Sequence, residues 1–469
     1  MSAPQPFASP APSRSAFRVE LGATLRLSGP LALANMLQMA VYAIDVIFVA
    51  RLGQEALAAS SLGVSLFVLI VFGCTGLTGA VAPLVAAELG RRRHAVREIR
   101  RSVRMAMWLA VGCGLAGMVI CLAGESLLLL TGQDPAVAAL AARFLAVLAF
   151  CLVPMLVSNV LRTFVATMGR PVFATLITAL AIGVNALGNY MFVFGRLGAP
   201  ALGLEGSALS SVITAVATVA AYAIAIGADR RLRRFRIFGR WWRPEWSRLR
   251  EIVRVGLPIG MTLVAEAGLF SGAAFLMGRI GAAELAAHTV ALQIAAFFFQ
   301  VPFGVAQAAT IRVGYHFGAG DAAAIARAGQ AALAIGFAFV GISASAMLFV
   351  PELILSAYVD VAAPANAGMV VLAVQYLAVG AAFQLFDGAQ AVAAGVLRGL
   401  QDTRMPMVIA LAGYWLPGFG TAVALGLFTP LRGTGVWVGL AVGLVFVALL
   451  LLWRWHRREA LGLVRFAAT

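Results

Sequence analysis

Twelve apolar runs, each about 20 residues or longer, follow one another along this chain, and the arginines gather in the links between them. Breaking the chain at glycine, proline and charge clusters places the runs at 27–50, 57–88, 103–130, 138–168, 171–194, 203–227, 250–277, 284–316, 323–350, 366–398, 405–428 and 433–454. A helix needs about 20 apolar residues to cross a bilayer. Backbone groups in lipid must be satisfied internally, so a spanning run is a helix or part of a closed barrel. Barrel strands alternate in hydropathy over about ten residues, and no run here alternates. The expected fold class is an all-α integral membrane protein with twelve transmembrane helices. Composition agrees, with 62% of 469 residues hydrophobic and 12% charged, against about half and about a quarter in soluble domains. No soluble fold hides that much apolar surface, which excludes a secreted or cytosolic enzyme.

The net charge of +16 is carried by arginine, since the chain has no lysine. Short clusters between apolar runs read as topology, not as a nucleic-acid-binding face. The link after the second run holds Arg91, Arg92, Arg93, Arg97, Arg100, Arg101 and Arg104. The link after the sixth holds Arg230, Arg231, Arg233, Arg234, Arg236, Arg240, Arg243, Arg248 and Arg250. Smaller groups are Arg162 with Arg170, Arg398 with Arg404, and Arg454, Arg457 and Arg458. With twelve spans all of these fall on one side, and the opposite links at 131–137 and 351–365 are nearly free of arginine. The positive-inside rule then puts both termini in the cytoplasm. The expected location is a bacterial inner membrane, and abundant Arg, Ala and Gly suit a GC-rich bacterial genome.

The expected layout is a cytoplasmic tail at 1–25, a six-helix bundle at 26–228, a cytoplasmic linker at 229–249, a second six-helix bundle at 250–455 and a tail at 456–469. The first 25 residues carry Arg14 and Arg18 but lack the layout of a cleaved signal peptide. They read as a poorly ordered tail. Cys74, Cys113, Cys121 and Cys151 lie in apolar stretches, form no CxxC motif and read as membrane-core residues.

The halves resemble each other. Pro30 maps onto Pro258 at a shift of 228 residues, and the same shift maps Arg51-Leu52-Gly53 onto Arg279-Ile280-Gly281, Gly76 onto Gly304 and Gly90 onto Gly318. Leu161-Arg162 maps onto Leu397-Arg398 at a shift of 236. Several matches at one shift point to an internal duplication. With six spans per half, the repeats run parallel, a layout found in transporters that work by rocking one bundle against the other.

Three carboxylates sit inside apolar runs: Asp45, Glu266 and Asp387. A charge at the bilayer centre costs about 2.5–3.5 kcal/mol on insertion scales. Such a group can tie helices together, or it can serve as a cation or proton site. A carboxyl in a low-dielectric medium holds a proton more readily, and several oxygens together can cage a hard cation. None of the three recurs in the other half. Asp45 faces Ala273, Glu266 faces Gln38 and Asp387 faces Cys151, which favours a functional role. Asn185 and Asn189 are one helical turn apart and share a face. They either join helices or complete a polar site with Asp45. Pro30, Pro154, Pro258, Pro302 and Pro417 interrupt spans and allow kinks. Phe297-Phe298-Phe299 reads as lipid-facing or core. His288 and His316 stand alone near span ends, without a second ligand at metal spacing, and read as interfacial. There is no phosphate-binding GxxxxGK[ST] motif, so export driven by ATP through this chain alone is not expected. No nucleophile, base or metal set marks an enzyme.

The stretch VPFGVAQAATIRVGYHFGAGD (301–321) resembles a segment of the multidrug and toxic compound extrusion (MATE) family, on its NorM-like branch. LLLLTGQDPAV (127–137), LRTFVATMGRP (161–171), FDGAQAVAAGVLRGLQDTRMP (386–406) and GTGVWVGL (433–440) extend the resemblance over nearly the whole chain. It implies two pseudo-symmetric six-helix bundles in a V-shaped fold, working as a monomer. The implied function is secondary active multidrug export, with organic cations leaving by alternating access as Na⁺ or H⁺ flows in. It implies a cation site of a span-seven glutamate and a span-ten aspartate, which match Glu266 and Asp387, and a first-bundle site of Asp45 with Asn185 and Asn189. Gln384 is a supporting polar neighbour. One departure stands out: the family often has tyrosine four residues before the span-ten aspartate, and this chain has Phe383. Losing that hydroxyl weakens a Na⁺ cage. Glu266 and Asp387 are the Na⁺ candidates, and no cofactor beyond the coupling ion is expected. The expected partners are small organic cations and the lipid bilayer. The rival is a lipid-linked oligosaccharide flippase of related architecture, disfavoured because the placed intramembrane charges are acidic. A channel lacks support, since no filter-like loop repeats.

Overall fold

The computed structural model describes residues 14–91, 95–130, 132, 134–239 and 241–464. Twelve helices are long and apolar enough to span a membrane. They are α1 (Ala16–Ala50), α2 (Gln54–Arg91), α3 (Ala95–Leu122), α4 (Pro135–Thr167), α5 (Val172–Phe194) and α6 (Leu204–Ala228). The series continues with α7 (Trp246–Ile280), α8 (Ala282–Ala319), α9 (Ala322–Phe349), α10 (Pro364–Gly399), α11 (Arg404–Phe428) and α12 (Arg432–His456). Each falls on one of the twelve expected runs, and no strand occurs among the described residues.

The chain starts helical earlier than its composition suggests. The first helix begins at Arg14, so the tail expected at 1–25 is corrected from that residue on. The cause is tertiary. Glu20, in a stretch too polar to read as a span, is buried and accepts from Arg312 on α8. Residues 1–13 and 465–469 of the two expected tails lie outside the described residues, as do Arg92, Arg93, Arg240, Thr131 and Gln133.

Packing groups Leu33–Gly260 into one compact unit, and the described residues up to Ala32 with those from Met261 onward into another. In the first unit Phe67, Phe144, Leu145, Leu152 and Leu204 build the core. The link after α6 is seated on this unit. Asp229 caps a short helix, Arg230–Arg233. Phe235 and Ile237 are buried, and the Phe235 ring meets Phe164 edge-on at 5.7 Å. Trp108 Nε1 donates to the Trp241 carbonyl at 3.0 Å. Arg104 is buried inside α3 against Glu245. Arg162 lies inside α4 and donates to Asn35. Neither is a solvated link residue.

In the second unit Leu269, Ile294, Val305, Trp437 and Leu444 lie in the core. Thr310 Oγ1 on α8 donates to the Gly395 carbonyl of α10 at 2.9 Å. A Cβ on Gly395 would fall 2.5 Å from the Ala306 carbonyl oxygen, so only glycine permits this approach. In α11 the helix widens to a π turn over Tyr414–Phe419, around Pro417. Proline has no N–H for the carbonyl one turn back, which disrupts the α ladder there.

A buried ion pair holds the start of α1 in this second unit. Arg312 Nε and Nη2 donate to the two Glu20 carboxylate oxygens at 2.7 and 2.5 Å, and His316 Nε2 lies 3.6 Å from Glu20 Oε2. His316 and His288 are 0% and 1% exposed, so both side chains are enclosed by protein. His316 sits inside this ion-pair group. His288 packs edge-on against Trp437.

Candidate functional site

Each unit brings intramembrane carboxylates together with polar partners, in two different ways. In the first unit Asp45 on α1 meets α5 and α6. Asn185 and Asn189 each donate to Asp45 Oδ1, at 2.9 and 2.7 Å, and Ser211 donates to Oδ2 at 3.1 Å. The one-turn spacing of the asparagines puts both amides on the face of α5 that meets α1. Ser210 Oγ donates to the Asn185 carbonyl at 2.9 Å and joins α6 to the same cluster. Gly188 makes this close approach possible, since a Cβ there would lie 2.5 Å from Ser210 Oγ. Asn185, Asn189 and Ser210 are fully buried. Asp45 is only half-buried, because it borders a cavity of about 140 Å³. Tyr42, Phe67, Phe144 and Met155 are among the apolar and aromatic walls of that cavity. It thus has one carboxylate, positioned by three donors, within aromatic surroundings. That pairing suits a cation with an apolar body.

In the second unit Glu266 on α7 and Asp387 on α10 share one amide. Gln390 Nε2 points at Asp387 Oδ1 at 3.3 Å and at Glu266 Oε1 at 3.5 Å. The Tyr414 hydroxyl, at the start of the π turn, donates to Gln390 Oε1 at 2.8 Å and fixes the amide's orientation. Asp387 and Gln390 lie three residues apart on one helix face and are each 4% exposed. The donor between the acids is an N–H, and Gln390's oxygen is engaged elsewhere. Among the described residues no group of three or more His, Cys, Asp or Glu side chains is arranged to hold a metal ion.

The model of the MatE family matches residues 30–191 and 258–423. The chain belongs to this family. The matched blocks start at Pro30 and Pro258, the pair that sets the 228-residue repeat. A protein of Mesorhizobium japonicum named a probable multidrug resistance protein NorM is 44% identical over 447 residues, 95% of this chain and 96% of that one. The multidrug resistance protein NorM of Burkholderia vietnamiensis is 37% identical over 439 residues, 93% and 94% of the two chains. Among solved structures, an outward-facing multidrug resistance MATE family transporter superposes with a TM-score of 0.84 at 22% identity, covering 94% of this chain and 96% of that one. The chain is a NorM-like MATE transporter, a multi-pass membrane protein and not an enzyme.

Against the expected site residues of this MATE chain, Asp45, Asn185 and Asn189 come together as expected, and so do Glu266 and Asp387. Gln384 does not join them. It is fully buried, and neither amide atom has a hydrogen-bond partner. Phe383 is buried edge-on to Phe270 at 6.0 Å and to Trp437 at 5.4 Å. The bridging amide of Gln390, the Tyr414 hydroxyl and the Ser210–Ser211 pair were missed. The helical spacing of Gln390 from Asp387 was the available signal.

One more polar group emerges in this unit. His288, Tyr376, Gln384 and Trp437 are each 0–1% exposed. Neither His288 nitrogen, nor the Tyr376 hydroxyl, nor Trp437 Nε1, nor either Gln384 amide atom has a partner among the described residues. The rings are contiguous: Trp437 meets His288 at 5.6 Å and Tyr376 at 6.2 Å between centroids. On α10, Tyr376, Gly380, Gln384 and Asp387 recur every three or four residues and form one stripe. Buried polar atoms without a partner are uncommon in folded proteins, which sets this group apart from the apolar core around it.

Proposed function

We propose that this MATE transporter exports organic cations in exchange for protons, with the two jobs divided between the units. Both termini lie on the cytoplasmic side of a bacterial inner membrane in this reading, as the arginine-rich links suggest. The Asp45 cavity takes the substrate. An ionised carboxylate is acceptor-only, which suits the three donors around Asp45, and its charge attracts a cation that Tyr42, Phe67 and Phe144 then enclose. The relatives' multidrug resistance names fit such a cavity, which selects on charge and shape.

The Glu266–Asp387 pair takes the coupling ion, and the amide of Gln390 between the two acids carries the choice of ion. A Na⁺ cage needs oxygens converging on one point. Here an N–H occupies the space between the acids, Gln390's oxygen is held by Tyr414, and Phe383 stands where the family often has a hydroxyl. Two neighbouring carboxyls with a single shared donor repel each other when both are charged, and one proton relieves that repulsion. In this reading protons arrive from the arginine-poor side along the stripe of unpartnered polar atoms on His288, Tyr376, Trp437 and Gln384. The pair of exposed Arg432 with buried Glu284, 2.8 Å apart, marks its outer end in this reading.

Protonation of the pair biases the transporter toward one state, loss of the proton to the cytoplasm biases it toward the other, and drug release is tied to that cycle. The test is transport of ethidium by the full chain in proteoliposomes of known orientation, with pH and Na⁺ gradients imposed separately. Export under the pH gradient alone is expected. Export under Na⁺ alone overturns the proton reading, and no cation transport under either gradient overturns the export reading.

A further inference from the structure

The first unit carries a second concave site, far more basic than the Asp45 cavity. A cavity of about 490 Å³ lies between the start of α3 and the link that precedes α7. Arg97, Arg100, Arg101 and Arg104 line one wall. Their spacing of three or four residues puts them on one face of the first turns of α3. The other wall is Trp242, Arg243, Pro244 and Glu245. Five arginines therefore face one carboxylate. Glu245 pairs with Arg101 and Arg104, and Arg101 also bonds Glu98 at 3.0 Å. Arg100 Nε donates to the Phe235 carbonyl at 2.6 Å. These bonds hold the frame rigid. Arg97 and Arg243 are exposed, and neither has an ion-pair or hydrogen-bond partner among the described residues. The lining carries five arginines against one carboxylate, at a helix N-terminus whose dipole favours an anion further.

An independent observation says where that anion resides. Phe238, Trp242 and Trp246, all in or beside this link, are 46%, 73% and 65% exposed. Large aromatics standing out from a link between spans match the belt of Trp and Tyr at a bilayer's headgroup level. Basic pockets at this depth are fitted to lipid phosphates.

We propose that this cavity binds the phosphodiester headgroup of an anionic phospholipid. Arg97 and Arg243 hold the phosphate from two sides, and the Trp242 ring sits at the glycerol level. The guanidinium groups each present paired N–H donors that match phosphate oxygens. The bound lipid bridges α3 to the link and replaces the counter-charge that the protein omits.

The test uses the full chain purified in neutral detergent, with native mass spectrometry and a thermal melt as readouts. The probes are phosphatidylglycerol, phosphatidylcholine and inorganic phosphate. The wild type is expected to retain one phosphatidylglycerol and to melt at a higher temperature in its presence, while phosphatidylcholine does neither. The double substitution R97Q/R243Q removes only unpaired charges. It is expected to keep the lipid-free melt of the wild type and to lose about tenfold or more in phosphatidylglycerol affinity, with a weaker salt dependence. Should that variant fold poorly, Arg97→Lys keeps the charge and is expected to bind with intermediate affinity. Undiminished phosphatidylglycerol binding by R97Q/R243Q, or by Arg97→Lys if that variant has to stand in, overturns the site. Equal stabilisation by inorganic phosphate assigns the cavity to a soluble phosphate and overturns the lipid assignment.

Discussion

The two carboxylate sites differ in what surrounds the negative charge. Asp45 has three donors on two oxygens and an open cavity in front of it. Among the described residues Glu266 and Asp387 share one hydrogen-bond donor, the Gln390 amide, on four oxygens. A carboxylate whose oxygens accept from several fixed donors is held in one orientation beside the cavity it borders. Two acids that share one donor invite a small cation to move in and out. The halves share a repeated helix pattern, and the difference in donors is what the proposed division of tasks rests on.

The sharpest way to break that comparison is to neutralise the pair. Asp387→Asn and Glu266→Gln are each expected to abolish pH-driven ethidium export in proteoliposomes, while the purified variants still bind ethidium. Export at the wild-type rate by both would remove the coupling role from the second unit. Loss of ethidium binding as well would merge the two tasks into one site.

The next largest effect separates a structural charge from the functional ones. Arg312 and Glu20 are buried with each other. Removing one member of a buried pair costs about 3–5 kcal/mol, whereas replacing both by apolar residues is often neutral. Arg312→Met is therefore expected to lower the melting temperature strongly, and Arg312→Met with Glu20→Leu to recover most of it. A double variant that melts normally yet fails to export would move this pair into the transport machinery and blur the contrast.

Glu20 also shows where sequence reading stops. The twelve spans were legible because lipid demands about 20 apolar residues per crossing, and Asp45, Glu266 and Asp387 were legible because each is a costly charge inside such a run. Glu20 sits in RVELGATLR, a stretch polar enough to pass as tail. Only its pairing with Arg312, far along the chain, shows that it is buried. Gln390, Tyr414, Ser210 and Ser211 escaped for another reason. An amide or hydroxyl in an apolar run is cheap enough to be common, so its meaning depends on which helix it faces. Gln384 was singled out for its place beside Phe383, and the structure gives Asp387 a different glutamine. His288 and His316 were placed at the interface by their position in the chain, and tertiary packing buries them.

Asp45→Asn should weaken equilibrium ethidium binding by about thirtyfold, since losing a charged contact costs about 2 kcal/mol. The neutral amide keeps the shape of the cavity, so fluorescence titration of purified protein reads the charge alone. An unchanged affinity would place the substrate elsewhere and leave Asp45 as a helix tie among Asn185, Asn189 and Ser211.

His288→Phe is expected to have the smallest effect, a slowing of pH-driven export by about tenfold, or about 1.4 kcal/mol, with ethidium affinity unchanged. The phenyl ring preserves the edge-on packing against Trp437 and removes both unpartnered nitrogens, so a normal melt would show that the core tolerates it. The slowing is expected to be modest because the Tyr376 hydroxyl and the Gln384 amide remain in the stripe with unpartnered polar atoms. Combining His288→Phe with Gln384→Leu should slow export further than either alone. The same double variant should leave Asp387 in place to accept a proton once one arrives, so a more acidic exterior should restore part of the rate. That partial rescue distinguishes a supply route from a damaged pair, because Asp387→Asn has no carboxyl left for added protons to reach.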